Sequence, residues 1–162
     1  MTWQQAFLTQ AKDDYEMFVH LNEISSAECQ QLHFLQMATE KLAKAFLCGL
    51  DNAPPKTSHD ALTKFLRVIK GRPEIRKKLG YAKNHVAFAS YIDSLLPIAG
   101  QIENLAPEGG NLRKINPEYP WESHTGEIVA PVDFKYRYIL GRQMEISRFK
   151  TLIENLIHIG IS

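Results

Sequence analysis

QMATEKLAKAFL, residues 36–47, followed by PPKTSHDAL, residues 54–62, is the stretch on which the fold turns. Its apolar residues recur at helical spacing, and Leu32, Leu35, Leu42, Phe46 and Leu50 form one stripe. Ala38, Ala43 and Ala45 are small enough to let a neighbouring helix come close. Yet the same segment carries Glu40, Lys41 and Lys44, with Glu40 and Lys44 an i,i+4 pair in the favourable order. The expected helix runs from about residue 26, capped by Ser25 or Ser26, to Leu50, with Gly49 and Pro54-Pro55 as stop signals.

The same period repeats on either side. Thr2 and Gln5 make a capping-box pattern ahead of Phe7, Leu8, Ala11, Tyr15, Phe18 and Leu21, which predicts a helix over 3–21. Thr57 or Ser58 is the expected cap of a third helix, with Asp60 suiting its positive end. That helix buries Leu62, Phe65, Leu66 and Ile69, and turns Thr63, Lys64, Arg67 and Lys70 outward. A short turn over 73–79 follows, with Pro73 at its start and Gly80 at its end. The fourth long helix, 83–105, holds Pro97, which should kink or split it near Asp93–Ser94. The last covers 138–158.

Residues 106–133 break this pattern. Four of the chain's eight prolines lie there and no helical period does. The expectation is an ordered flap, docked by Tyr119 and Trp121, with SHTG turning a small hairpin between 119–122 and 127–130. The fold class is therefore all-α: one domain, an up-and-down bundle of about five helices with a long proline-rich non-helical insertion at 106–133.

A chain of 162 residues, 44% hydrophobic and 23% charged, has the composition of a soluble globular protein. No membrane contact, secretory leader or internal repeat is expected. Cys29 and Cys48 fall on one helix about 28 Å apart, too far to pair. Two unpaired thiols fit a cytoplasmic location.

The net charge of +1 is unevenly spread. Residues 64–83 hold eight cations and one acid, a local balance of +7, which leaves −6 for the rest. Such a run is a footprint for an anionic partner such as RNA, with Arg72, Arg76, Lys77, Lys78 and Lys83 as candidate contacts. A solvated helix face would look the same.

Candidate chemistry is sparse. There is no Walker A loop, H-E-x-x-H, C-x-x-C or G-x-S-x-G motif. His33 and Glu40 share a helix face, but two ligands do not make a metal site, so neither a metal nor a cofactor is expected. Glu16 and His20 at a helix end suit a charge–dipole role. His85 stands beside Lys83 and Asn84 at a helix start, just past the basic run. Phosphodiester cleavage needs a proton carrier titrating near neutrality and cations for developing charge, which His85 with Arg76, Lys77 or Lys83 would supply.

Ala38, Glu40, Lys41, Lys44 and Ala45, then a proline-containing loop, then Thr57, Ser58, His59, Asp60 and Leu62, resemble the pattern of the HEPN domain, an all-α module, over residues 27–66. The resemblance implies a bundle that often forms a homodimer. It also implies a toxin–antitoxin, defence or RNA-processing setting, in some relatives with a nucleotidyltransferase as partner protein. Catalytic members carry an Arg, four to six residues, then a His. Here eight residues separate Arg76 from His85, nine separate Arg148 from His158 and ten separate Arg113 from His124. Ribonuclease activity is therefore not carried over. The leading expectation is a non-enzymatic helical module that binds a partner protein or nucleic acid. The alternatives are a metal-independent ribonuclease with an atypical site at His85, and a small-molecule binding bundle lidded by 106–133.

Overall fold

The computed structural model describes residues 1–48 and 61–161. Their helices are α1 (Trp3–Glu23), α2 (Glu28–Leu47), α3 (Ala61–Ile69), α4 (Pro73–Lys78), α5 (His85–Glu103), α6 (Arg137–Leu140) and α7 (Gln143–Ile161). One two-stranded ribbon, β1 (Trp121–Glu122) with β2 (Ile128–Val129), interrupts them. The architecture is an all-α bundle with a non-helical excursion after α5. The expected stops at Gly49 and Pro54-Pro55 and the expected caps at Thr57, Ser58 and Asp60 lie outside the described residues, as does His59.

The centre of the bundle is α2. It touches α1, α3, α5 and α7, and no side chain from 31 to 47 is exposed. Leu32, Leu35, Ala38, Leu42, Ala43 and Ala45 are fully buried. Phe46 is half-buried and stacks on Phe65 of α3 with ring centroids 5.0 Å apart. Wrapping on all sides explains why the polar residues of α2 are paired. A charge taken from water costs several kcal/mol unless an opposite charge and further hydrogen bonds meet it. Lys41 reaches across to Asp14 of α1, which is buried and also accepts from Gln10 Nε2 at 3.1 Å. Glu40 pairs with Lys44 and accepts from the buried Gln36 Nε2 at 2.9 Å.

The helix ends show where local chemistry decided and where it did not. Thr2 and Gln5 form the capping box of α1, each side chain accepting from the other's backbone N–H. The cap expected for α2 does not form. Ala27 holds the N-cap position without a side-chain bond; the backbone of Ser25 and Ser26 closes α1, and Ser26 Oγ is buried with no partner among the described residues. Ser25 takes φ +52, its N–H donates to the Asn22 carbonyl at 3.3 Å, and Ser26 N–H donates to the Leu21 carbonyl at 3.0 Å. That pair of bonds is the Schellman arrangement, which usually places glycine where Ser25 stands.

The first described turn of α3 is bonded from far along the chain. Glu103, the last residue of α5, accepts from the Leu62 and Thr63 amides at 2.7 and 3.2 Å and from Thr63 Oγ1 at 2.7 Å. Thr63 thus does not simply face solvent, and Lys70 also turns to α5, meeting Asp93 at 2.7 Å. α5 itself is capped by Asn84 and is not split at Pro97. The proline removes the bond that the Asp93 carbonyl would accept, but Asp93 and Pro97 both lie on the exposed face, where water takes that acceptor. The final helix departs from expectation as well. Gly141 ends α6, and α7 starts two residues later. A Cβ at position 141 would stand 2.4 Å from the Arg137 carbonyl oxygen, so only glycine fits this junction.

The excursion is ordered from within. Buried Asn116 accepts from the Glu118 and Tyr119 amides at 3.0 and 2.7 Å and donates to the Lys114 carbonyl at 3.0 Å. Tyr136, fully buried, donates its hydroxyl to the Asn116 carbonyl at 2.9 Å, and its amide donates to Glu28 of α2 at 2.8 Å. Trp121, 4% exposed, meets Phe134 edge-to-face, and Phe134 meets Tyr136 the same way. Trp121 is the expected anchor. No acceptor for its indole N–H is found among the described residues; the ring is held by aromatic packing. Tyr119 does not dock; it is exposed, and Tyr136 fills the buried role instead. The hairpin forms with Trp121 opposite Val129 and Glu122 opposite Ile128. It turns through Gly126 at φ +86.

Candidate nucleic-acid interface

The basic residues between 64 and 83 lie on the exposed side of α3, on α4 and on the lead into α5. Two short links set this course. Gly71 and Arg72 close a turn by donating to the Val68 and Ile69 carbonyls, and Pro73 then opens α4 with its missing N–H in the one turn where it is not needed. Ile75, buried, pins α4 to the core. The pinning leaves Arg72, Lys77 and Lys78 exposed and Arg76 half-buried.

Charge pairing across the run is slight. Lys70 meets Asp93, and Arg72 stands 3.7 Å from Glu74 with both side chains more than half exposed. Pairs at such exposure contribute roughly 0–1 kcal/mol and do not cancel the field of the run. Among the described residues, Lys64, Arg67, Arg76, Lys77 and Lys83 meet no carboxylate within ion-pair distance. Arg76 Nε is buried with no hydrogen-bond partner. Lys64 and Arg67 line a shallow hollow with Thr63 and Val68. Arg72 and Lys78 rim a deeper groove floored by Phe46, Phe65 and Ile75.

His85 is the first residue of α5 and is exposed. No hydrogen bond or ion pair joins it to Arg76, Lys77 or Lys83 among the described residues. The arrangement offers a cationic surface, with His85 exposed two residues past the exposed Lys83.

The other sequence candidates are engaged in the fold. His33 and Glu40 do not converge: His33 Nδ1 lies 3.3 Å from Glu118 of the excursion, while Glu40 binds Lys44 and Gln36. That His33–Glu118 contact lacks hydrogen-bond geometry at Nδ1. Among the described residues no three His, Cys, Asp or Glu side chains gather as a metal site requires. Cys29 is buried and Cys48 partly so, both as free thiols, and burial pushes the Cys48 thiol up. Trp121 meets Phe134 edge-to-face with ring centroids 5.2 Å apart.

One cluster adjoins the basic run without any sequence motif to announce it. Tyr81 stacks on Tyr91 of α5, and Arg148 of α7 lies over the Tyr91 ring with its guanidinium carbon 5.2 Å from the centroid. Burial, and then the neighbouring Tyr81, push the Tyr91 hydroxyl upward in pKa, with Arg148 opposing. Only Tyr81 falls within the charged stretch. Tyr91 is ten residues on, and Arg148 arrives through the packing of α7 on α5.

No protein-family model, curated protein or solved structure gives a match to this chain. No helix among the described residues is long and apolar enough to cross a membrane.

Proposed function

We propose that this chain is a non-enzymatic helical module that binds nucleic acid through the basic surface of residues 64–83. The observation that carries this reading is a run of eight cations against one acid, six of the cations exposed and five without a carboxylate partner among the described residues. The likeness of residues 27–66 to the HEPN domain supports an RNA-related setting, and the free cysteines support a reducing compartment.

Binding of this kind is electrostatic. If Arg72, Arg76, Lys77, Lys78 and Lys83 all neutralise phosphates of a single strand, log K falls with log salt at a slope of about −3.5. Fluorescence anisotropy on labelled single-stranded RNA across a salt series measures it. Arg76→Glu with Lys77→Glu should weaken binding to all sequences alike. His85→Ala should leave affinity within about twofold, and neither wild type nor variant should cut RNA in metal-free buffer. A salt-independent affinity, or cleavage by the wild type that His85→Ala abolishes, would refute the reading.

A further inference from the structure

The end of α4 fixes where the next aromatic ring goes. Gly80, at φ +84, donates its N–H to the Lys77 carbonyl, and Tyr81 N–H donates to the Arg76 carbonyl, both at 3.0 Å. This is again the Schellman pair of bonds, with glycine at the left-handed position. Three residues later Asn84 N–H donates to the Tyr81 carbonyl at 3.1 Å, and the Asn84 side chain caps α5 at Ala87. Tyr81 is therefore held through both its amide and its carbonyl. Its ring lies 5.7 Å from that of Tyr91, with the planes 17° apart. Across from this pair, Tyr91 Oη donates to the Arg148 carbonyl at 3.2 Å and so ties α5 to α7.

A groove of about 300 Å³ runs between these elements. One wall is Tyr81 and Tyr91. The other is α7, where Ser147, Thr151 and Asn155 recur every fourth residue and are exposed beside Arg148. Two phenol rings, one guanidinium and a row of neutral donors and acceptors suit a flat aromatic ring with polar edges and no charge of its own. The volume matches a single such ring better than a larger ligand. Lys78 and Lys83 flank Leu79 and Tyr81 in the chain, so the basic run and the groove share the segment between α4 and α5.

We propose that this groove is a stacking site for one nucleobase of a single-stranded nucleic acid whose phosphates follow residues 72–83. The inference rests on the nucleic-acid reading above and adds selectivity for unpaired bases. Stacking needs an unpaired base, whereas the cations alone accept any phosphate chain.

The test compares three labelled probes of about 12 nucleotides, within the usual site sizes for single-strand binders. They are natural single strands of DNA and of RNA, single strands of the same length made of abasic units, and a duplex. The wild type should bind the natural single strands about tenfold tighter than the abasic ones, the usual worth of one stacked base. Tyr81→Leu and Arg148→Gln should each bring that ratio towards one. Arg148→Gln alters an exposed side chain, so it tests the groove even if Tyr81→Leu lowers stability. Because the readout is a ratio, the charge lost at Arg148 does not enter it. Equal wild-type binding of natural and abasic strands would overturn the inference while leaving the nucleic-acid reading intact, and so would ratios unchanged in both variants. Failure of every probe to bind would remove both. Binding of a proline-rich peptide, lost on the same two substitutions while the base preference was absent, would assign the groove to another ligand and also overturn it.

Discussion

Replacing Lys41 by Met tests whether the charges of α2 belong to the fold. The Asp14 side chain is 8% exposed and that of Lys41 20% exposed, so the pair sits at the sealed boundary between α1 and α2. Lys41→Met keeps the helix propensity and the aliphatic bulk, and removes the ammonium. Asp14 would then hold a buried carboxylate with Gln10 Nε2 as its remaining donor. Breaking a buried pair from one side costs about 3–5 kcal/mol. The surviving Gln10 bond and the partial exposure at Lys41 lower this to roughly 2–3 kcal/mol. For a chain of this length that is a melting-temperature loss of about 4–12 °C. The Asp14→Leu, Lys41→Met double variant leaves no charge behind and should lie within about 1 kcal/mol of wild type, because an apolar pair of similar size replaces the ion pair. Urea denaturation of the four proteins closes a double-mutant cycle, with an expected coupling of about 2 kcal/mol. A Lys41→Met cost below about 0.5 kcal/mol, or strictly additive single variants, would show that the pair is a solvated surface contact and that the reasoning fails.

Two further outcomes follow from the same structure. Ser25→Gly relieves a left-handed residue at the end of α1 and should stabilise the protein by about 1 kcal/mol, read as a raised denaturation midpoint; a lowered midpoint would contradict the φ of +52. In a Trp3→Phe background, Trp121 should emit at short wavelength because its ring is 4% exposed, and emission like that of free tryptophan in water would show that the excursion is undocked.

Periodicity carried the all-α class, the course of α1 and the location of the excursion into the sequence reading, because each depends on residues within a few turns of one another. The α1 capping box is local in the same sense. What was illegible depends on distance along the chain. Ser25 and Ser26 look like an N-cap in isolation, and only the path of the chain makes them the end of the preceding helix. Glu103 accepts from the Leu62 amide of α3 across 41 residues, and no local pattern marks that bond. The split at Gly141 was readable in principle, since glycine is a poor helix interior, but the apolar period continues across it and hides the break. Pro97 misled in the opposite direction: its effect turns on whether the freed carbonyl faces water, which is a property of the packed bundle.

The candidate site divides along the same line. The cations of 64–83 are contiguous and therefore visible, whereas the aromatic groove is assembled from α5, α7 and the turn between α4 and α5. The HEPN-like stretch gives the complementary lesson. Lys41 ties α2 to Asp14, Lys44 and Gln36 meet Glu40, and each of these side chains is at least half-buried. Residues spent on holding a central helix in register are poor candidates for chemistry on an external substrate. The cations on and just after α4 stand in the opposite position. Lys77 and Lys83 are exposed and meet no carboxylate among the described residues, while α4 itself is anchored by Ile75. Like charges crowded on a short, rigid helix raise the free energy of the folded state through mutual repulsion. An anionic partner removes that repulsion on binding.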